Sequence, residues 1–573
     1  MAAQPALPRS EEFNSWEQVE PYLQELAVRR LTAENVEAWL VDWTELLRLV
    51  METEQRRYVA TTVNTDDKDA EQRYYTFLEK IFPAAQAAEQ QIKQKLLSSE
   101  LEPPAFDVPL RNMRVQARMF REANLPLRTE EQKLATEYDK IAGAQTVEWE
   151  GRELTLQQLH PVYQNTDRTL RERAWRLEQA RRLQDQAALD ALWVKLLQLR
   201  LQIAANADFP DYRAYRWQQL QRVDYTPADC VAFHQAVEQV AVPAATRIYE
   251  RRRQRLGLET LRPWDLDVNS LGLAPLRPFT EVADLEARSA AILRRVDPEL
   301  GAQFEIMRRE GLLDLANRVG KAPGGYCTVF PAAERPFIFM NAVGLHNDVV
   351  TLLHESGHAF HVFHIFGAGR LPYYQQWDVG MEFAEVVSMA MELLGAPYLP
   401  ADEGGFYSVQ EAARARIEHL EGAIIWWPRM AVVDAFQHWV YEHPDAAADP
   451  ARCRAFWVDL SRRFEPSVDW SGLEAAEANV WQQILHIFQL PFYFIEYAMA
   501  QLGAVQIWRN ALRDQASAVA RYRRALALGG TVALPQLYDA AGATFAFDAN
   551  TLAEAIALIE QQIDKLDAVS MLR

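Results

Sequence analysis

Apolar side chains recur at spacings of three and four residues along most of this 573-residue chain. The pattern is clear in VEAWLVDWTELLRLVMETEQRRYV and returns from Asp348 onward. This period places the apolar residues on one face of an α-helix. A chain of this length can bury one large core or form several packed subdomains. The sequence therefore predicts a large, mostly α fold.

Two short runs, YCTVF (326–330) and FIFMN (337–341), interrupt the helical pattern. Both are rich in β-branched and aromatic residues and are separated by a turn that contains proline, so they predict strands. A further short hairpin is predicted at Glu150-Gly151 within VEWEGRELTLQQL. We therefore expect only a small sheet content.

The charge balance limits the possible partners, and the number of cysteines indicates a reducing compartment. The 60 basic and 79 acidic residues give a net charge of −19, which argues against nucleic acid as a partner and leaves peptidic or small substrates. Cys230, Cys327 and Cys453 are widely spaced, so neither a disulfide framework nor a thiolate metal cluster is expected.

The first residues lack a basic stretch followed by an apolar run, and the apolar segment AIIWWPRMAVVDAF contains charged residues. We expect a cytoplasmic protein without a membrane span.

The segment Val349–His364, VVTLLHESGHAFHVFH, carries four of the eleven histidines. His354 and His358 are four residues apart and share one helix face, with Glu355 beside them, in the pattern H-E-x-x-H. Two imidazoles one turn apart can bind a single Zn²⁺ at about 2.0–2.1 Å while the adjacent carboxylate reaches a bound water. The pattern predicts a catalytic zinc site.

Capping residues delimit two predicted helices in this region. Asn347-Asp348 supplies N-cap chemistry for the histidine helix, and Gly367 is a predicted C-terminal stop. In the next helix Asp378 is the predicted N-cap and Gly395-Ala396-Pro397 the predicted end.

A catalytic zinc requires a third protein ligand. His364 follows the first histidine of the motif by ten residues, but an unbroken helix at roughly 100° per residue points it elsewhere. His361 is expected to pack or to support the site. Glu382, Glu385 and Glu392 lie on broadly one side of the second helix among apolar residues, which is costly unless they are paired or bind a cation. One of these three carboxylates is the expected ligand.

These motifs resemble the zinc oligopeptidases that include oligoendopeptidase F and thimet oligopeptidase. The resemblance is carried by HESGHAFH, FAEVVSMAMELL, RVGKAPGGYCTVF, FIFMN and HIFQLPFYFIEYAMAQLGA. It is closest to oligoendopeptidase F and continuous from about residue 205 to 565, while EYDKIAGAQTVEWEGRELTLQQL is similar to the N-terminal domain of that group. Three regions are therefore expected: an N-terminal helical region (1–110), an oligoendopeptidase F-like N-terminal domain (111–200) and a zinc metallopeptidase catalytic domain (201–573).

The resemblance implies a role for particular residues. The third zinc ligand of the family falls on Glu385, within its A-E-V-x-S type motif, and would hold one Zn²⁺ per chain together with the two histidines of H-E-x-x-H. The family also has a late histidine and tyrosines that contact substrate and stabilise the transition state. Their counterparts here are His486, Tyr493 and Tyr497.

The resemblance also implies the architecture around the site. It implies a largely helical ellipsoid with a deep substrate channel and a small β-sheet beside the zinc-binding helix. An exposed edge strand of that sheet would pair with an extended peptide, which agrees with the two strands predicted just before that helix. Gly324-Gly325 would let substrate approach the backbone closely, and with Tyr326 they form the predicted substrate-binding segment.

Together these features predict a zinc metalloendopeptidase that hydrolyses internal bonds of short, unstructured oligopeptides. Glu355 would take the proton of the attacking water and deliver it to the leaving amine, and Tyr497, Tyr493 or His486 would stabilise the oxyanion. Two alternatives stay open: a carboxypeptidase or dipeptidyl carboxypeptidase on the same scaffold, and a peptide-binding relative without turnover. The natural peptides, the cleavage preference, the length limit and the oligomeric state stay open as well, and so does zinc against manganese or cobalt, because the ligand types alone do not decide the metal.

Overall fold

The computed structural model describes residues 13–570 except 66, 319, 323 and 368–370. Residues 1–12 of the predicted N-terminal region and 571–573 of the predicted catalytic domain lie outside this part. Within it the chain is mostly helical, and the named strands form two small sheets. The predicted mostly α fold is confirmed.

The helices and strands are numbered here in chain order. The first helices are α1 (Trp16–Val28), α2 (Val36–Val63), α3 (Lys68–Thr76), α4 (Phe82–Ser98), α5 (Asp107–Met119), α6 (Asn124–Gly143), α7 (Leu156–Tyr163), α8 (Arg168–Gln184) and α9 (Gln186–Asn206). They are followed by α10 (Tyr212–Gln219), α11 (Pro227–Ala236), α12 (Val242–Arg255), α13 (Val282–Val296), α14 (Pro298–Arg309), α15 (His346–Phe366), α16 (Met381–Gly395) and α17 (Val409–Glu442). The last are α18 (Pro444–Ala447), α19 (Pro450–Phe464), α20 (Glu474–Asn479), α21 (Leu485–Gln489), α22 (Phe494–Ala511), α23 (Gln515–Leu526), α24 (Leu534–Ala541) and α25 (Ala549–Ser570). The strands are β1 (Thr146–Trp149), β2 (Arg152–Thr155), β3 (Leu313–Ala316), β4 (Tyr326–Phe330) and β5 (Arg335–Ala342).

The first of two compact units comprises Met1–Phe120, Arg277–Ala412 and Ala500–Phe545. Its N-terminal helices bury a large apolar cluster that includes the neighbouring indoles of Trp39 and Trp43. The amphipathic spacing seen in the sequence creates this core, because residues three and four apart face the same side of each helix.

The second unit comprises Arg121–Leu276, Ala413–Met499 and Ala546–Arg573. One of its apolar clusters joins the β1–β2 hairpin to Trp175 and Trp264. Glu150 and Gly151 both have positive φ angles, 52° and 77°, in the turn between the two strands. The hairpin predicted at these two residues is confirmed.

A three-stranded sheet in the first unit has the strand order β3-β5-β4. β3 runs parallel to the central strand β5, and β4 pairs with it antiparallel, with Tyr326 opposite Phe339. Both β4 and β5 pack against α15. The two predicted strands and their position beside the histidine helix are therefore confirmed, and β4 lies at an edge of the sheet.

The predicted N-cap of the histidine helix was wrong. Helix α15 begins at His346, and Leu345 is its N-cap. Asp348 lies within the first turn, where its Oδ2 accepts the backbone N–H groups of Val343 and Leu345 at 2.8 Å each. Its carboxylate therefore ties the preceding loop to the helix start, where acidic groups favour the positive end of the helix dipole.

The other predicted helix ends are mostly correct. Helix α15 ends at Phe366, directly before Gly367, and α16 ends at the predicted Gly395. Its N-cap is Gly380 rather than Asp378. Capping propensity identified the region of the helix start but not the residue, because boundary positions depend on packing as well as on local sequence.

Several other sequence expectations bear on the chain as a whole. Among the described residues, no helix combines the length and the apolar character needed to cross a bilayer. Cys230, Cys327 and Cys453 all lie in the described part and form no disulfide. Each compact unit is assembled from separated stretches of chain, and the division into the three predicted regions stays a prediction.

Candidate active site

Helices α15 and α16 of the first unit pack closely at Gly357. A Cβ atom added at Gly357 would lie 2.6 Å from Ser388 Cα and 2.8 Å from the carbonyl oxygen of Val387. Carbon atoms in contact lie about 3.5–4.0 Å apart, so a side chain does not fit at this position. The glycine within H-E-x-x-H thus permits the close approach of the two helices.

This packing brings three candidate ligands together. The Nε2 atom of His354 lies 3.3 Å from Glu385 Oε2, and that of His358 lies 3.7 Å from the same oxygen. One potential ligand atom from each of the three residues lies within 4.8 Å of the others. Zn²⁺ bonds of about 2.0–2.1 Å in a tetrahedral arrangement place ligand atoms about 3.3–3.4 Å apart. The spacing of these donor atoms fits a single zinc ion.

Glu392 orients the first of these imidazoles. The Nδ1–H group of His354 donates to Glu392 Oε1 at 2.7 Å, because a carboxylate can only accept. Because Nδ1 is taken up by Glu392, the Nε2 atom that faces Glu385 is the one that could bind a metal ion, as in metal-binding histidines. Ser388 Oγ donates to Glu385 Oε2 at 3.0 Å and orients that carboxylate in turn.

The charge of the group also fits a cation. Glu355 and Glu385 are 7% and 3% exposed, and the side chain of Glu392 is 13% exposed. Three largely buried carboxylates facing two imidazoles leave an excess of negative charge, which is costly away from water. A divalent cation held between them would remove most of that cost.

The pKa values of the group follow from burial and from these carboxylates. Burial raises the pKa of Glu355 to about 7, His354 opposes this rise, and Glu385 and Glu392 add to it. Burial lowers the pKa of His358 to about 4. Burial also opposes the protonation of His354, but Glu385 and Glu392 outweigh it and hold its pKa well above the usual value. The carboxylates that attract a proton here would also attract a metal ion.

The other candidates near the motif lie apart from this group of three. His364 donates from Nδ1 to the carbonyl oxygen of Phe360, and its Nε2 accepts from Arg523. His361 is buried, and burial lowers its pKa to about 3. Glu382 lies in the first turn of α16 and is 3% exposed. The helix geometry that excluded His364 on sequence grounds thus agrees with its contacts.

The late-segment residues form an aromatic cluster in the second unit. The ring centroids of His486 and Tyr493 lie 5.4 Å apart, those of His486 and Tyr497 lie 5.9 Å apart, and those of the two tyrosines lie 5.0 Å apart. His486 lies in the short helix α21 and Tyr497 in the first turn of α22, with Pro491 between the two helices. The structure therefore brings these three predicted residues together.

The predicted substrate-binding segment enters the edge strand β4. Gly324 has a φ of 91°, which favours glycine, and a Cβ atom at Gly325 would lie 3.3 Å from the carbonyl oxygen of Phe339. The ring of Tyr326 stacks on Phe339 at 4.9 Å, and its hydroxyl lies 2.6 Å from that of Thr62. One residue further, the backbone amide of Cys327 hydrogen-bonds Glu355, which links β4 to the predicted general base.

A second group of potential ligands lies buried between α11 and α17 of the second unit. Atoms of Cys230, Asp434 and His438 lie within 4.8 Å of one another. Arg213 donates to His438 Nδ1 at 3.2 Å, so Nε2 of that ring carries the proton. The Nε2–H group of His234 donates to Asp434 Oδ2 at 2.8 Å. With its proton on Nε2, His438 cannot bind a metal through that atom, and we assign no metal here.

Sequence reasoning missed the orienting role of Glu392, which it treated only as a possible ligand. A signal was available, because Glu392 follows Glu385 by two helical turns and so shares its face. It also missed the packing role of Gly357, because nothing in the local sequence of the motif indicates that another helix lies close to this residue.

Comparisons with known proteins show similarity to peptidases. A model of Peptidase family M3 matches residues 162–556, which is more than half of the chain. The Oligoendopeptidase F homolog of Borreliella burgdorferi is 23% identical over 51% of this chain and 48% of that protein. Oligopeptidase PepF of Bacillus subtilis is 22% identical over 58% of this chain and 48% of that protein. The matched part thus spans about half the length of these curated relatives.

One solved structure is similar over nearly its whole length. The structure of PZ peptidase A with an inhibitor matches with a TM-score of 0.91 and 25% identity, covering 98% of this chain and 99% of that one. The fold described above is therefore shared with a peptidase.

Proposed function

Because the chain belongs to Peptidase family M3, we propose that it is a zinc-dependent endopeptidase that hydrolyses internal bonds of short, unstructured oligopeptides. The observation that carries this proposal is the group of His354, His358 and Glu385, whose donor atoms have the spacing of a tetrahedral zinc site. The hydrogen bond from His354 to Glu392 supports it further, because it leaves Nε2 as the ring atom that can bind a metal ion.

In this proposal His354, His358 and Glu385 hold one zinc ion per chain. When bound, zinc supplies a Lewis acid that polarises a carbonyl group and lowers the pKa of a bound water. Glu392 keeps the His354 ring in its ligating tautomer, and Ser388 holds the Glu385 carboxylate in place.

Glu355 is the proposed general base. Its carboxylate is next to the ligand His354 in sequence, is buried, and accepts a hydrogen bond from Cys327 in β4. It takes the proton from the attacking water and returns it to the leaving amine nitrogen. The oxyanion receives a hydrogen bond from Tyr497, Tyr493 or His486, whose rings form one cluster.

The proposed substrate is an extended peptide. An edge strand such as β4 has one side that pairs with no other strand of its sheet and can add a peptide strand. Gly324 and Gly325 contribute no side chains of their own at the entry to β4. Folded proteins cannot present such a strand, so we propose unstructured oligopeptides as substrates. A cytoplasmic location stays part of the proposal.

The test maps the fragments of peptides roughly 5–25 residues long, using the chain as purified, metal-stripped and zinc-restored. Internal cleavage that disappears on stripping and returns with zinc is the expected result. Stepwise removal of C-terminal residues or dipeptides would instead indicate a carboxypeptidase or dipeptidyl carboxypeptidase. Absence of cleavage with zinc bound at one equivalent would contradict an enzyme and favour a peptide-binding protein.

Two variants separate the proposed roles. Glu355→Gln should keep zinc and lose turnover, because it removes the base and leaves the ligands. Glu385→Ala should lose zinc, because it removes the third ligand. Glu382→Gln is a matched control on the same helix and should retain zinc. Loss of zinc in Glu355→Gln, or full zinc content in Glu385→Ala, would contradict these assignments.

A further inference from the structure

The segment between α21 and α22 carries the late-cluster residues on an irregular backbone. Helix α21 ends at Gln489 and α22 begins at Phe494. Between them Phe492 has a φ of 65°, which is unfavourable for a bulky side chain. Such a conformation persists only where the surrounding contacts hold it.

Two arginines, one fully buried and one half-buried, hold the carbonyl groups of this segment. Arg200, fully buried, donates to the carbonyl oxygens of Ile487 at 3.2 Å and of Phe488. Arg216 donates to the carbonyl oxygen of Pro491 at 3.2 Å. Backbone carbonyls outside regular structure need such donors when they are buried.

Arg222 differs from these because it joins the neighbours of both tyrosines. Its Nη2 donates to the carbonyl oxygen of Phe492 at 2.7 Å and to Glu496 Oε1 at 2.5 Å. Phe492 directly precedes Tyr493, and Glu496 directly precedes Tyr497. One guanidinium therefore fixes the chain next to each phenol.

The surroundings of Arg222 are buried. Its side chain is 0% exposed and that of Glu496 is 2% exposed, and the guanidinium lies 4.7 Å from the ring centroid of Trp217. The Phe492 N–H group donates to Gln437 Oε1 at 2.9 Å. The unfavourable φ of Phe492 is thus held from both its carbonyl and its amide side.

We infer that Arg222 is a positioning residue that acts through Tyr493 and Tyr497, by holding the turn at Phe492 that aligns these phenols with a peptide substrate. This inference rests on the proposed function. It assigns Arg222 no contact with substrate: its hydrogen bonds go to the backbone carbonyl and the carboxylate next to the tyrosines. Small displacements of catalytic groups can cost about 100-fold in rate.

A double-mutant cycle tests the inference. Arg222→Met should lower kcat at least tenfold on a cleaved peptide, with KM changed less than threefold. In a Tyr493→Phe/Tyr497→Phe background the same substitution should lower kcat less than twofold, because residues that act as a unit are not additive. Equal losses in the two backgrounds would mean that Arg222 acts elsewhere and would overturn the inference.

Arg171→Met is the matched control. Arg171 is also a buried arginine of the second unit that joins a carboxylate, Asp265 at 2.9 Å, to a backbone carbonyl, that of Trp264 at 2.9 Å. Its replacement should lower the melting temperature without lowering kcat. If the single variant does not fold, Arg222→Met combined with Glu496→Leu is a second test variant, because it removes both charges of the buried pair.

Hydrogen exchange provides a readout that does not need turnover. Arg222→Met should speed amide exchange in 490–497, and Arg171→Met should not. Unchanged exchange there would overturn the inference while peptide hydrolysis by the unsubstituted chain still stood. An unsubstituted chain that binds zinc and cleaves no peptide would overturn the proposed function first, and the inference with it.

Discussion

Gly357→Ala should separate the two helices that carry the proposed zinc ligands. The added Cβ atom would lie 2.6 Å from Ser388 Cα, whereas carbon atoms in contact need about 3.5–4.0 Å. The helices must therefore move apart by about 1 Å. Ser388 is one turn after Glu385 on the same helix, so the carboxylate moves with it.

The ligand spacing shows what this movement does to zinc. The distances from Glu385 Oε2 to the two imidazoles are 3.3 and 3.7 Å, close to the ~3.4 Å between ligand atoms of a tetrahedral ion. A further ~1 Å would take both distances well beyond that value. We expect zinc affinity to fall about 10–100-fold and kcat/KM by about 100-fold. Overpacking should cost about 1–3 kcal/mol of unfolding free energy, partly offset by the ~0.5–1 kcal/mol that alanine gains over glycine in a helix.

Chelator competition measures the zinc affinity, and urea unfolding measures the stability. Gly422→Ala in α17 is the control, because an added Cβ atom there has no described atom within 4 Å. That variant should gain up to about 1 kcal/mol and keep its zinc affinity. A Gly357→Ala protein with unchanged zinc affinity and activity would refute the link between helix packing and ligand spacing.

Three further predictions concern hydrogen bonds and charge. Glu392→Gln should weaken zinc binding about 10–100-fold in chelator competition, because a neutral amide holds the Nδ1–H group of His354 less strongly than a carboxylate does. Unchanged affinity would contradict the orienting role of Glu392. Elemental analysis should find the same zinc content in Cys230→Ala as in the unsubstituted chain, and a loss of one equivalent would contradict the tautomer assigned to His438. Burial alone would raise the pKa of Asp434, but His438 and His234 hold it well below its usual range. Asp434→Asn should therefore cost about 1.5–3 kcal/mol at pH 7, because it weakens hydrogen bonds to a charged group. The difference should shrink below about pH 4, where the native carboxylate's contribution is progressively lost; a pH-independent difference in urea unfolding would contradict this.

Local patterns carried much of the fold and part of the candidate site. H-E-x-x-H placed His354 and His358 on one face of a helix that the structure contains, and the β-branched runs at β4 and β5 form the strands that pack against it. These features depend on residues close in sequence, whose geometry the backbone period determines.

Features that depend on packing were not predictable in the same way. Spacing alone could not select Glu385 among three carboxylates, because the choice depends on where two helices cross. The N-cap of α15 is Leu345, although Asp348 has the more favourable side chain for that position. The Asp348 carboxylate binds the preceding loop instead. The contacts of Arg222 join residues far apart in sequence, and no local pattern marks them.

The alternation of the chain between its two units has a consequence for synthesis on the ribosome. The first unit needs residues up to Phe545, although its earliest stretch ends at Phe120. At about 5–20 residues per second, the N-terminal helices would wait roughly 20–90 s for their last partners. Neither unit can be completed before the C-terminal stretches emerge, so domain-by-domain folding during translation is not open to this chain. Its early helices would expose apolar faces during that interval, when chaperones that bind such faces can act.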